Sequence, residues 1–248
     1  MLNNHNARLG VSLWLLAMSG VVLMLSTMLP QLLTNTPQQI PLGIAFAASF
    51  LQSGLMLALA VWAGISLGKP LGLEAPVIEA ALTGTGAWRQ LRRQCIPATA
   101  TGAGVGVLLV LAPSVAPVEV IDAAHTISIP VAAKVLYGAI TEEVLIRWGL
   151  MTVMIWLPWR VWQRKSGAPK RSYVVSAVML SAVLFGVGHL PAAMAMGIQL
   201  TTPVIAYIVI GNTLPGILFG MLYWRYGIEA AMVAHALGHI IATAAASA

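Results

Sequence analysis

The chain has 248 residues, of which 59% are hydrophobic and only 8% charged, with a net charge of +6 and a single cysteine. An ordinary soluble domain is about 25% charged, so this composition excludes one. Cys95 alone excludes an internal disulfide and a cysteine-rich metal site, and the basic residues, scattered in short stretches between apolar runs, exclude a nucleic-acid-binding patch.

Taken in chain order, the apolar runs predict about seven transmembrane helices, since roughly 18 or more apolar residues cross a bilayer. The first covers Val11 to Leu29; no small-residue cleavage pattern follows it, so it is expected to be a retained helix rather than a signal peptide. The second covers Ile44 to Leu67. The polar segment Gly68 to Gln94, ending in Trp-Arg-Gln-Leu-Arg-Arg, is expected as one interfacial helix. The remaining five are Ile96 to Leu111, Ile127 to Leu157, Tyr173 to Leu190, Pro203 to Trp224 and Ile228 to Ala246. The predicted fold is therefore an all-α polytopic membrane helix bundle, a single membrane domain over 1–248 with N-terminal helices in 11–126 and core helices in 127–246.

Charge sets the expected orientation. With the N-terminus in the cytoplasm, every Lys and Arg except Lys134 and Arg147 falls at the cytoplasmic end of a helix or in a cytoplasmic connection. The C-terminus then lies outside, in the cell (inner) membrane. Lys134 reads as a side chain reaching toward an interface.

Ionisable groups within apolar helices cost about 2.5–3.5 kcal/mol each on insertion scales and are functional candidates for that reason. The fourth helix holds Thr141-Glu142-Glu143-Val144-Leu145-Ile146-Arg147, the fifth ends in Phe185-Gly-Val-Gly-His189, and the seventh carries His235-Ala-Leu-Gly-His239. Glu143 and Arg147 are four apart and share a face, as a charge-assisted pair requires, while Glu142 is turned about 100° away and is free for another partner. Phe185 with His189, and His235 with His239, repeat the four-residue spacing. At a rise of 1.5 Å per residue, Glu142, His189 and His239 lie ~22, ~24 and ~17 Å from the cytoplasmic ends of their helices, at similar depth.

This ordered triplet, together with the run Gly216-Ile-Leu-Phe-Gly-Met-Leu-Tyr-Trp-Arg-Tyr-Gly before Ala-Met-Val-Ala-His235, resembles the CPBP family of intramembrane proteases. That family includes the type II CAAX prenyl endopeptidases and the bacteriocin-processing Abi proteins. The resemblance implies that Glu142 is the catalytic carboxylate and that His189 shares a water with it. It also implies that Glu143 and Arg147 give structural support, with Phe185 packed one turn before His189. His235 and His239 would complete the site on the substrate carbonyl or oxyanion. His239 stands where the family commonly has Asn, and a histidine can also titrate or bind metal.

Peptide hydrolysis needs an activated water and donors for the developing oxyanion, and these residue types supply both. Glu142, His189, His235 and His239 could alternatively hold a divalent ion such as zinc, although the sequence has no His-Glu-x-x-His helix. The expected partners are the lipid bilayer and a peptide or protein substrate, lipid-modified or not, with no nucleic acid. Two other functions use the same residues: a proton- or ion-coupled transporter, for which no inverted repeat is found, and a non-catalytic scaffold of the same family.

Overall fold

A computed structural model describes residues 4–34 and 40–247, and among these every regular element is helical. Seven helices are long and apolar enough to cross a membrane: Asn4–Thr34, Leu42–Leu67, Ala87–Val115, Val131–Val161, Arg171–Ala195, Thr202–Tyr226 and Ile228–Ala246. They are called the first to seventh spans below. In hydrocarbon each backbone N–H and C=O must be paired within the segment, which the helix alone achieves for such runs. The outer surface is correspondingly apolar, with Leu51 69%, Trp62 59% and Ile96 79% exposed. The chain is an integral membrane protein.

The segment expected as one interfacial helix is divided. A 3₁₀ turn, Lys69–Leu71, is followed by a short helix, Pro76–Thr83, and residues 87–94 already form the first turns of the third span. Gly84 and Gly86, at φ +68° and +88°, break the chain between them. Glycine alone adopts such angles without strain. A second short helix, Val118–Thr126, precedes the fourth span and lies outside every predicted element.

The spans alternate in direction, so their connections gather at two ends. At one, the Glu229 carboxylate accepts hydrogen bonds from the Val77 and Ile78 amides, both at 2.9 Å. At the other, the Gln31 side chain bonds both backbone groups of Ser128, and Thr201 Oγ1 donates to Glu119. The fourth span is the axis of the bundle, packed by the first, second, fifth, sixth and seventh, while the third lies against the seventh.

The axial span is not a plain α-helix. Over Lys134–Glu142 and Val144–Met151 it is wound as π-helix, with backbone bonds reaching five residues back. The hydroxyls of Thr141 and Thr152 follow the wider winding, donating to the carbonyls of Leu136 and Arg147. Thr141 Oγ1 also donates to Ala17 O of the first span at 2.6 Å, an approach that Gly20 makes possible. A Cβ on Gly20 would strike the Leu136 carbonyl and the Thr141 hydroxyl. Small residues let membrane helices close in this way.

Gly20→Val is expected to force the first span off the fourth, at a cost of about 1–3 kcal/mol typical of overpacking. Gly104→Ala is the control, because no atom lies near the added methyl. Unfolding midpoints in detergent should fall for the first variant and stay level or rise for the second.

Candidate active site

The buried centre is a carboxylate shared by two cations or donors. Glu143, with no exposure, accepts Arg147 Nη1 at 3.0 Å and His235 Nδ1 at 2.8 Å, both on Oε1. Arg147 continues to the Gly216 carbonyl of the sixth span at 2.9 Å. Its guanidinium lies over the Phe185 ring at 4.9 Å and the Phe219 ring at 5.6 Å. Four spans meet on this one group.

Glu142, the preceding residue, turns the other way, into a cavity of about 330 Å³ shared with His189, His235 and His239. His189 closes the main helix of the fifth span, just before Pro191 opens a further turn. Its Nδ1 lies 2.8 Å from the Phe185 carbonyl. A carbonyl only accepts, so Nδ1 carries the hydrogen and Nε2 presents a lone pair. That Nε2 stands 3.9 Å from Glu142 Oε1, too far for a direct hydrogen bond. The Phe185 ring meets the imidazole edge-on, centroids 4.6 Å apart, and holds its plane.

The same reasoning fixes His235. Its Nδ1 donates to Glu143, so in the neutral ring Nε2 is an acceptor. The ring is layered between Phe219, at 4.5 Å and 19°, and His239, at 4.9 Å and 29°. His239 makes no hydrogen bond among the described residues, which leaves its tautomer free. Both Nε2 atoms close on Gly138: a Cβ there would lie 3.0 Å from that of His239 and 3.5 Å from that of His235.

The cavity wall is otherwise apolar, apart from Lys134, Tyr137 and Asn212. Lys134 therefore lines the cavity rather than merely reaching for an interface. Tyr137 stands five residues before Glu142, a spacing that shares a face only where the helix is π-wound. Gly138 and Phe219 carried no chemical signal of their own. Asn212, an amide inside an apolar run, was a readable one; its Nδ2 donates to Ile208 O at 2.8 Å.

A divalent ion would call for several ligating side chains gathered on one point. Among the described residues no group of three or more His, Cys, Asp or Glu side chains is placed to hold a metal.

Residues 124–241 match the family model described as Type II CAAX prenyl endopeptidase Rce1-like, a stretch that contains all seven of the residues singled out by sequence. No curated protein and no solved structure matches the chain.

Removing one partner from a buried ion pair costs about 3–5 kcal/mol, because the other charge is stranded. Arg147→Met should lower the unfolding midpoint accordingly, and adding Glu143→Leu should recover part of the loss. A midpoint unchanged by Arg147→Met would contradict the pairing.

Proposed function

We propose, for a chain that belongs through residues 124–241 to the CAAX/CPBP family of intramembrane proteases, that Glu142 and His189 activate one water against a peptide carbonyl. The observation that carries this is the 3.9 Å gap between Glu142 Oε1 and His189 Nε2. Both atoms are acceptors. A water lying about 2.8 Å from each would donate one hydrogen to the carboxylate and one to the imidazole, leaving its lone pair for attack.

The step balances on these groups alone. Water passes a proton to Glu142 as its oxygen bonds the scissile carbonyl carbon, giving a tetrahedral oxyanion. The C–N bond then breaks, and the Glu142 carboxylic acid returns the proton to the departing amine. The products are a carboxylic acid and a free amine, and no step passes through a metal.

The oxyanion needs a donor, and hydrogen bonding divides the two remaining histidines. His235, with Nδ1–H given to Glu143, donates from Nε2 only as an imidazolium. His239 is uncommitted and as a neutral ring can carry its hydrogen on Nε2, beside Gly138. His239 is thus the oxyanion donor, and His235 positions it by stacking. An imidazole at this position can do what an amide side chain would, since both present an N–H.

Glu142→Gln and His189→Ala should each lower kcat by about 10²- to 10⁴-fold, the usual range for a general acid–base group. Detergent unfolding midpoints should stay near that of the parent, since neither group braces the bundle. Full cleavage by purified Glu142→Gln protein would refute the assignment. Gly138→Ala sets a methyl against the His239 Nε2, and losing one oxyanion donor costs about 10²–10³ in kcat. That variant should lose turnover while binding a substrate-like peptide with little change.

A further inference from the structure

The residues lining the cavity lie mostly toward one end of the bundle. The first span contributes Met28 and Leu32 from its last turns, the third Leu109, and the fifth Ala192 with Met196 just beyond its end, while Ile129 comes from the connection entering the fourth. Phe219 and His235, each seven residues from the basic end of its span, are its deepest lining residues, with Glu142 beside them. The mouth is therefore at the end where Gln31 meets Ser128 and Thr201 meets Glu119.

The opposite end carries the positive charge. Every Lys and Arg except Lys134 and Arg147 lies there, from Arg8 through Lys69, Arg93 and Arg164 to Arg225. The connections at the mouth end hold Glu119 and Asp122 and no Lys or Arg. Basic connections stay in the cytoplasm.

We infer that the cavity opens away from the cytoplasm, and that its substrate is an apolar peptide segment of an exported or outer-leaflet-anchored protein, presented from the extracytoplasmic face. This rests on the hydrolytic reading above for what happens at the floor, but its directional content rests on the charge distribution and the position of the mouth alone. The wall fits that class of substrate. Met24, Met28 and Met196 are flexible, polarizable side chains that repack around varied apolar shapes. An extended strand with apolar side chains entering between them loses no buried charge and brings its carbonyls down to Glu142. A segment dense in charge would leave most of its groups unpaired, since the wall offers only Lys134, Tyr137 and Asn212 beside the Glu and His groups at the floor. A cytoplasmic tail, lipid-modified or not, would have to cross the basic end of the bundle to reach the floor.

The test uses the full chain carrying Cys95→Ser, with a single cysteine added as Gln199→Cys in the exposed connection at the mouth, or as Ser166→Cys in the exposed basic connection. A membrane-impermeant maleimide applied to intact spheroplasts should label the first and leave the second unlabelled until lysis. The reverse pattern overturns the inference. In parallel, an internally quenched apolar peptide is added to sealed right-side-out and inverted vesicles. Cleavage confined to right-side-out vesicles and lost in Glu142→Gln supports it, and cleavage confined to inverted vesicles overturns it. Undiminished cleavage by Glu142→Gln defeats the hydrolytic reading instead, with the orientation still decided by the labelling.

Discussion

The arrangement depends on one carboxylate that cannot be left alone. Glu143 has no exposure and sits in the middle of a membrane-spanning bundle, where an unpaired charge is costly. It is tied to Arg147 on its own span and His235 on the seventh, and Arg147 reaches the sixth span's backbone and two aromatic rings from the fifth and sixth. Rotating any of these helices about its axis would break a buried, charge-assisted contact. The orientation of the neighbouring Glu142 follows: with Glu143 fixed inward on the brace, the side chain just before it faces the cavity. His235 is fixed by the same bond, and His239, one turn on, is carried with it. The brace does no chemistry, yet it decides which way the chemistry points.

Much of this was legible because membrane helices are written plainly. Seven apolar runs gave seven spans, and the four-residue spacings of Glu143 with Arg147 and of Phe185 with His189 correspond to real contacts. Features that depend on long-range pairing were not. Nothing in the spacing tells that His235 gives its Nδ1 to Glu143, 92 residues earlier, and so cannot donate to substrate as a neutral ring. The π-winding of the fourth span was also hidden, since it reflects packing on all sides rather than local propensity. It moves Tyr137 onto the face of Glu142, where an α-helical reading would have turned it away. The split of the segment 68–94 was signalled by Gly84 and Gly86 but masked by the polar and basic residues scattered through the segment.

Both halves of the chain build the cavity. The family match covers the groups proposed for water activation, oxyanion stabilisation and bracing. The first and third spans, outside the matched stretch, supply Met24, Met28, Leu32, Val105 and Leu109 to the cavity wall. The matched stretch adds Ile129, Ala192, Met196 and Pro215, so the cavity wall is drawn from both parts of the chain. In the proposed chemistry, the His239 imidazole is the point that differs from a simple amide donor, since it adds a titratable ring stacked on another.

The claim at the centre is that Glu142 and His189 act on the same water. Groups that act as a unit are strongly non-additive when removed together. Cleavage rates for Glu142→Asp, His189→Gln and the double variant, measured on one peptide under single-turnover conditions, test this directly. The double variant should be no slower than the slower of the two single ones. A double variant slowed by the full product of the two separate effects would mean that the two residues serve different steps, and the shared-water mechanism would be wrong.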